Sequence, residues 1–445
     1  MAQTGQTIST MGAEVGMQRN GAQHKRLGSE VIGRLFGVGF TIICFTSLLC
    51  GALVWVFRAS LANQWLGKPE LSSWLGAAAL IIILQPFGWV PLVFLASLQE
   101  FRAYGLRSSI GVVFGSALVV LFAWRSGIKG AVTGMLVASA AQVLLSYLIV
   151  RPTLRARSIR LRIDRFWEQT LAIFRLGFPF YYGNTLLGSL IALPVIGLVG
   201  RYGGLSDLGY LRVAQSIAAI IGFIPSAIAP AALSYLSASL ADDLGSYHRL
   251  RIVHLRSVWS VLLVLTCPVC VLLPGIIRIL FGTAYGQAYW PAWIFLWLSV
   301  LIGIVAVLIQ YLVVSGQTMR IAWVSTLANG SFLGVSFLLV PRYHAVGFLL
   351  AQLTGQLISL PFVFGPAMKG LSSSELKMIW RLTFASLFSL VWTFVFASLG
   401  LGLISTVAVA IVTLGVLATF LFMKVLSPLE RVSLMRLVTF RASYA

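Results

Sequence analysis

An uninterrupted apolar stretch, WPAWIFLWLSVLIGIVAVLIQYLVVS, occupies residues 290–315 and contains no Asp, Glu, Lys or Arg. A helix of about 20 mostly apolar residues crosses a bilayer core about 30 Å thick. Because irregular backbone cannot face lipid, the stretch is predicted to be a transmembrane helix. Further stretches of this kind lie at 35–57, 74–98, 107–124, 128–150, 176–200, 209–237, 257–281, 321–340, 344–368, 380–399 and 403–423. The sequence therefore predicts an all-α polytopic membrane protein with about 12 transmembrane helices.

The composition of the 445 residues supports this class. Apolar side chains make up 59% of the chain and charged ones 10%, whereas soluble domains carry about 25% charged residues. This excludes a cytosolic enzyme, a disordered tail and a disulfide-stapled secreted module. The net charge is +21, but the cations lie between apolar runs instead of clustering on one solvated face. Nucleic acid is therefore not an expected partner.

The distribution of Lys and Arg predicts the orientation, because cytoplasmic loops retain positive charge. With the segment 1–34 placed in the cytoplasm, 24 of the 32 Lys and Arg side chains fall on the cytoplasmic side. The remaining eight are Arg58, Lys68, Arg125, Lys129, Arg201, Arg212, Arg278 and Arg342. We therefore expect a multi-pass protein with both termini in the cytoplasm.

An internal repeat relates the first four predicted helices to helices seven to ten. Ser-x-Gln-x-x-Arg closes a span at 97–102 and again at 315–320, at a spacing of 218. Trp124-Arg125 precedes Gly130 as Pro341-Arg342 precedes Gly347, at a spacing of 217. The second copy has two additional helices in front, so the first is expected to lack its opening pair. Either the start codon lies upstream or the protein is naturally shortened.

The repeat and the positions of the predicted spans divide the chain into four regions. Residues 1–150 form an incomplete first bundle of four helices, and 151–175 a basic cytoplasmic connector. Residues 176–368 form a second bundle of six helices, and 369–445 a C-terminal helix pair with a cytoplasmic tail.

Two stretches carry a family resemblance. The first, 174–237, contains Leu176-Gly177-Phe178-Pro179, Gly200-Arg201-Tyr202, Leu208-Gly209-Tyr210 and Pro225-Ser226-Ala227. The second, 279–347, contains Leu280-Phe281-Gly282, Tyr285, Ser315-Gly316-Gln317, Pro341-Arg342-Tyr343 and Gly347. These motifs resemble the Wzx-like polysaccharide flippases of the MOP superfamily, which also contains lipid II flippases and MATE drug antiporters. The family usually has fourteen helices, arranged as six, six and two, so twelve agree with a missing pair.

The resemblance implies a function and a location. Such proteins move polyprenyl-pyrophosphate-linked oligosaccharide repeat units across the bacterial inner membrane, for lipopolysaccharide, exopolysaccharide or capsule synthesis. It implies no enzymatic activity and no cofactor. The expected partners are the lipid-linked oligosaccharide, membrane lipids, and a polysaccharide polymerase with its chain-length machinery. A groove beside the last two helices, 380–399 and 403–423, would hold the lipid tail.

The predicted spans contain no Asp or Glu. Many relatives carry an acidic-basic pair where this chain has Val195-Ile196. A relay of buried carboxylates therefore has no candidates in the sequence, which disfavours a drug antiporter. No metal-ligand set and no Walker A loop occurs either, so neither a metal nor direct ATP use is expected.

Arg212 is the sharpest candidate for a substrate-binding residue. It lies inside the span 209–237, and Gln215, Ser216 and Ser226 follow it at helical spacing. A second polar stripe, containing Asn184, lies on the preceding helix. The two stripes predict a hydrated cavity in which a guanidinium grips a pyrophosphate or an acidic sugar. The alternative is that Arg212 reaches the outer interface and pairs with Asp207.

Three further arginines, Arg34, Arg175 and Arg381, begin spans on the predicted cytoplasmic side. They either meet an incoming lipid-linked pyrophosphate or serve as ordinary positive-inside anchors. In the stretch RPTLRARSIRLRIDR, residues 151–165, apolar side chains interleave with arginines. This pattern predicts a connector lying on the membrane surface.

Other functions stay open at this point. Another MOP transporter, either a drug or cation antiporter or a lipid II flippase, is the nearest alternative. A membrane enzyme of polysaccharide assembly is disfavoured because the outer loops are short and carry only Glu70 and Asp207 as acids. An inactive remnant is the third alternative.

Overall fold

The computed structural model describes residues 10–23, 28–65, 69–399 and 403–425. Their helices are α1 (Ala13–Gln23), α2 (Ser29–Val56), α3 (Leu71–Ser97), α4 (Phe101–Ala156), α5 (Phe166–Tyr181), α6 (Gly188–Asp242), α7 (Leu244–Leu280), α8 (Tyr289–Val314), α9 (Thr318–Ala367), α10 (Ser373–Ser398) and α11 (Leu403–Phe420). Short helical pieces lie at Arg58–Ser60, Leu61–Trp65, Tyr182–Leu187, Thr283–Ala288 and Leu421–Val425. No strand occurs in these ranges, and eight stretches are long and apolar enough to cross a membrane. The all-α polytopic prediction is confirmed.

The three longest helices, α4, α6 and α9, each contain a sharp reversal. The backbone has a positive φ at Gly127 (58°), Gly204 (76°) and His344 (48°). Gly127 and Gly204 lie between two predicted spans, and His344 is the first residue of the predicted span 344–368. The predicted short outer loops are therefore hairpin turns of one or two residues, and each pair of spans forms a helical hairpin.

The reversals of α4 and α9 show the internal repeat in three dimensions. Gly127 and His344, at the spacing of 217, share the same unusual backbone conformation. A Cβ on Gly130 would collide with the carbonyl of Phe122, and one on Gly347 with the carbonyl of Leu339, at the same spacing. In both hairpins, a glycine at the same repeat position thus allows the two arms to pack closely beside the turn.

The C-terminal turns of α3 and α8 also have matching backbone conformations and hydrogen bonds. Gln99 and Gly316 have positive φ, and the following amides donate to carbonyls five residues back: Glu100 N to Leu95 O at 2.9 Å, and Gln317 N to Leu312 O at 2.8 Å. These pairs also have the spacing of 217. The sequence pairing of Ser97 with Ser315, at 218, is therefore one residue out of register.

The chain forms two compact units by its internal contacts. Unit 1 comprises Met1–Gly188, Pro230–Tyr247 and Tyr311–Ser325, and unit 2 comprises Ser189–Ala229, His248–Gln310 and Thr326–Ala445. Phe36 packs edge-on against Phe94, at 5.0 Å, in the core of unit 1. Phe332 packs edge-on against Phe348, at 5.3 Å, in the core of unit 2. These units are defined by contacts, whereas the boundaries predicted near 150, 175 and 368 were defined by the sequence repeat. Those boundaries stay a prediction.

Candidate functional site

Helix α1 lies inside unit 1, although the sequence placed it in a cytoplasmic tail. Gly12 and Gly177 of α5 approach so closely that a Cβ on either would meet the backbone of the other. Gly16 makes the same close approach to Ile173. Residues 10–23 are therefore a packed part of unit 1, which the sequence did not predict, and their location relative to the membrane stays a prediction. Hydropathy misses α1 because it is short and polar, and its spaced glycines are the signal that could have found it.

Two polar side chains of α1 tie together the ends of other helices. Gln18 Nε2 donates to Pro230 O at 2.6 Å and to Ser234 Oγ at 3.0 Å, in the second half of α6. Arg19 donates to Val314 O, the last residue of α8, from Nε at 3.1 Å and from Nη2 at 2.9 Å. Terminal carbonyls lack helical donors, so a guanidinium there satisfies them and complements the helix dipole. We call these contacts the α1 clasp.

The second repeat makes a corresponding contact with different chemistry. Tyr235 follows Gln18 at the repeat spacing, and its ring packs on Phe101, the first residue of α4, at 5.1 Å. Thr318, the first residue of α9, follows Phe101 by the same spacing. Arg19 of the first repeat thus contacts the junction between α8 and α9 in the second repeat. Tyr235 of the second repeat contacts the junction between α3 and α4 in the first. One contact is polar and the other is aromatic.

Glu14 lies one turn before Gln18 on α1. Its Oε2 is fully enclosed and has no hydrogen-bond partner in the described ranges. Tyr181 of α5 is close enough to interact with it electrostatically. The expectation that the bundle offers no carboxylate is therefore wrong. The sequence reading assigned Glu14 to the cytoplasm because no long apolar run surrounds it.

Arg107 is a second charged group within unit 1, and it is 5% exposed. Its Nε donates to Ser146 Oγ at 2.8 Å, and its Nη2 donates to Gly88 O and Gln142 O at 3.1 and 3.2 Å. All these acceptors are neutral. They come from α3 and from the second half of α4, so Arg107 fastens these helices together.

Arg212 and Gln215 share one face of α6 in unit 2. Arg212, Ser216 and Ser226 are exposed and Gln215 is half-buried, so most of the stripe is accessible. Asp207 meets His344 instead of Arg212, with Oδ2 3.2 Å from Nδ1. No ion pair between Arg212 and Asp207 occurs in the described ranges, and a position of Arg212 at the outer interface stays the alternative. Substrate binding by Arg212 stays a prediction.

The remaining predicted site residues lie in different surroundings. Arg34 is held by carboxylates: its Nη2 is 3.5 Å from Glu30 and its Nε is 4.0 Å from Asp164. Arg175 is exposed on α5, in unit 1, and Arg381 is exposed on α10, in unit 2. Asn184 falls in the helical piece Tyr182–Leu187 of unit 1, and its side chain lies outside the described part of the structure. Substrate binding by Arg34, Arg175, Arg381 and Asn184 stays a prediction.

A large apolar groove runs along α10 in unit 2. It measures about 990 Å³ and is lined from 293–304 of α8, 350–364 of α9, 376–390 of α10 and by Trp259 of α7. Trp293, Trp297 and Trp380 add aromatic surface. The enclosed Nε1 of Trp293 has no acceptor among the described residues. At 1.5 Å per residue, the groove follows α10 for about 20 Å.

A smaller apolar pocket of about 310 Å³ lies on the other side of α10, against α11. Helix α10 is fastened between the two spaces by indole–hydroxyl hydrogen bonds. Trp259 Nε1 donates to Ser386 Oγ at 2.9 Å, and Trp392 Nε1 donates to Thr413 Oγ1 at 2.9 Å. A small apolar space thus lies between the last two helices, and a larger one lies beside α10, where the resemblance implied a groove.

Comparison with solved structures gives the fold. A MATE mutant matches with a TM-score of 0.70 and 14% identity, over 82% of this chain and 84% of that one. A mutant of a Vibrio cholerae MATE transporter matches at 0.69 and 16%, over 82% and 86%. A MOP superfamily transporter from Pyrococcus furiosus, described as having a binding pocket of reversed polarity, matches at 0.65 and 14%, over 82% and 84%. The fold is that of the MATE and MOP transporters.

Comparison of sequences gives the family. No curated protein matches the chain. The profile of a family described as "Polysaccharide biosynthesis protein" matches residues 4–293, which is well over half of the chain. The protein is therefore a multi-pass membrane protein that belongs to the polysaccharide biosynthesis protein family and has the fold of MOP-superfamily transporters.

Proposed function

We propose that the protein flips polyprenyl-pyrophosphate-linked oligosaccharide repeat units across the bacterial cytoplasmic membrane, for the synthesis of a surface polysaccharide. Its family and its transporter fold support this function. The observation that carries the proposal is the apolar groove along α10. A long apolar space of this kind matches an isoprenoid tail, whereas a small polar solute would make no use of it.

The groove fits an amphiphile with an anionic head. Lys377 and Arg381 are exposed on α10, next to Leu376 and Trp380 at one end of the lining. A pyrophosphate accepts charge-assisted hydrogen bonds from such cations while the tail lies along the helix. The sugars need a hydrated path, because each unpaired hydroxyl costs several kcal/mol in hydrocarbon. The exposed stripe with Arg212 supplies polar groups for that path.

In this scheme the α1 clasp is the cytoplasmic gate. It joins α1 to the predicted cytoplasmic ends of α6 and α8, where the substrate is loaded. Loading requires these hydrogen bonds to open, and release on the outer side requires them to close. Glu14, one turn away, is the carboxylate available to couple this motion to protons.

The proposal also sets the location and the partners. The protein lies in the inner membrane with both termini in the cytoplasm, where lipid-linked repeat units are made. A polysaccharide polymerase and chain-length machinery act on the flipped product. The protein itself performs no covalent chemistry.

The deciding experiment is deletion of the gene, followed by analysis of lipid-linked sugars. Complete repeat units on polyprenyl pyrophosphate should accumulate, and they should be confined to the inner leaflet. Complementation with this reading frame should release them. Loss of a single sugar transfer, with incomplete repeat units, would favour a glycosyltransferase and contradict the proposal. Normal repeat units on both leaflets would contradict it as well.

Narrowing the groove should weaken substrate binding. Leu387→Trp fills space beside α10, since Leu387 lines the groove. A displaced tail stays in hydrocarbon but loses packing contacts; about ten lost contacts at roughly 0.15 kcal/mol each cost about 1.5 kcal/mol, so KM for the native lipid-linked substrate should rise roughly tenfold. A flipping assay in proteoliposomes measures this.

The matched control is Val391→Trp, one turn further along the same helix. Val391 is exposed and lies outside the lining of both apolar spaces. Its substitution should leave KM unchanged. Equal effects of the two tryptophans would show that the groove does not hold the tail.

Replacing Glu14 by Gln should uncouple flipping from a pH gradient. The amide keeps the shape of the side chain but cannot exchange a proton. Proteoliposomes with Glu14→Gln should flip substrate at the same rate with and without an imposed gradient, whereas the wild-type rate should change. A mutant that still responds to the gradient would place the coupling group elsewhere.

A cation antiporter is the second candidate, because Glu14 would serve it equally well. The same vesicles separate the two functions. Proton release driven by a cationic drug, without any flipping of lipid-linked sugar, would identify the antiporter.

A further inference from the structure

The arginine-rich connector, which begins in the last turn of α4, contains two kinds of arginine, and the first kind is paired. Arg157 forms an ion pair with Glu100. Arg162 Nη1 lies 3.2 Å from Glu30, and Arg165 lies 3.6 Å from Glu168. Asp164 is taken by Arg34. The carboxylates of this region therefore already have partners, and these ion pairs hold the connector in place.

The second kind is exposed and unpaired. Arg155 and Arg160 are both exposed. Neither forms an ion pair or a side-chain hydrogen bond with any of residues 10–23, 28–65, 69–399 or 403–425. Their charge is not needed to hold the fold, so it is available to an anion from outside the chain.

Large apolar side chains are exposed beside these two arginines. Ile163 is 58% exposed, Trp167 80% and Leu171 71%, and Leu161 is half exposed. Trp167 and Leu171 lie one turn apart on α5, which leads directly into a predicted span. An exposed apolar patch of this kind is unfavourable in water and is typical of a surface that contacts a membrane or a partner.

The backbone of the connector is fixed against α2. Arg162 N donates to Gly33 O at 3.1 Å. A Cβ on Gly33 or Gly37 would collide with the carbonyls of Arg160 and Arg162. The exposed arginines and apolar side chains are therefore presented by an anchored segment, which lowers the entropy lost when they bind a ligand.

We propose that this connector surface, formed by Arg155, Arg160, Leu161, Ile163, Trp167 and Leu171, is a docking site for anionic phospholipid headgroups of the cytoplasmic leaflet. The two guanidinium groups bind phosphate oxygens, and the apolar side chains enter the interface between them. A nucleic acid or an acidic protein would match the arginines but not the apolar side chains. The inference is independent of what the protein transports.

The test uses the purified full-length protein, delipidated in detergent micelles and titrated with fluorescent phosphatidylglycerol or phosphatidylcholine. Each basic residue near an anionic surface contributes about a fivefold increase in affinity. The double variant R155Q/R160Q should therefore bind phosphatidylglycerol about 25-fold more weakly than wild type, with phosphatidylcholine binding unchanged. The variant L161S/I163S should weaken the binding of both lipids.

The matched control is R125Q/K129Q, which removes two exposed charges from the other end of the α4 hairpin. It should keep the phosphatidylglycerol preference of wild type. The variant R155K/R160K should also keep it, because a point charge suffices for a headgroup; it remains informative if the glutamine variant fails to fold. An equal loss in R155Q/R160Q and R125Q/K129Q, or an unchanged preference in R155Q/R160Q, would overturn the proposal.

Discussion

Cross-linking Gln18→Cys to Ser234→Cys is expected to stop flipping completely, and cleavage of the cross-link is expected to restore it. Gln18 Nε2 lies 3.0 Å from Ser234 Oγ, so the two positions are within reach of a short bis-thiosulfonate reagent, which forms a disulfide with each cysteine that reduction breaks. A covalent link there holds the α1 clasp closed, and the substrate cannot be loaded. The measurement is flipping of lipid-linked sugar in proteoliposomes, before and after reduction, in a background without Cys44, Cys50, Cys267 and Cys270.

The single variants Gln18→Cys and Ser234→Cys are the controls for this experiment. Each should react with the reagent and still flip substrate, since no link forms between the two helices. Full activity of the cross-linked double variant would show that the clasp stays closed throughout the transport cycle. The gate would then have to be sought elsewhere.

Arg212→Ala should reduce flipping by about two orders of magnitude while the protein reaches the membrane at its normal level. Truncating a charged group that binds a desolvated anion typically costs several kcal/mol. Arg212 is exposed on the polar stripe of α6, and Asp207 is occupied by His344. Its charge is therefore available to a substrate phosphate. Flipping assays and membrane immunoblots measure the two quantities.

Two variants serve as controls for the role of Arg212. Arg201→Ala removes an exposed arginine near the turn of the same hairpin, where its guanidinium lies 5.8 Å from the ring of Tyr202, and flipping should persist. Asp207→Asn should also leave flipping intact, because Asp207 does not hold Arg212 in place. Normal flipping by Arg212→Ala would refute the binding role.

The transmembrane architecture follows from hydropathy because each span buries its own backbone hydrogen bonds. The breaks predicted near residues 126, 204 and 342 coincide with the turns at Gly127, Gly204 and His344. Helix α1 was not predicted, since it is stabilised by glycine contacts and by polar bonds to distant carbonyls. Hydropathy detects neither of these.

The candidate site was less predictable than the fold. The partner of Arg34, Asp164, lies far away in sequence, and no periodicity connects them. The apolar groove was equally hidden at the level of residues. Leu387 lines it and Val391 does not, although both are exposed aliphatic residues on one helix. Sequence shows that such a side chain avoids water, but only packing decides whether it faces lipid or a groove.

The hairpin turns also bear on how the chain is inserted during synthesis. The turns at Gly127, Gly204 and His344 are only one or two residues long. The orientation of one arm of each hairpin in the membrane therefore fixes the orientation of the other arm. Six of the spans therefore enter the bilayer as three pairs. Moving a single positive charge at an outer turn should leave the topology of such a pair unchanged, since inverting one arm would require the other to leave the membrane.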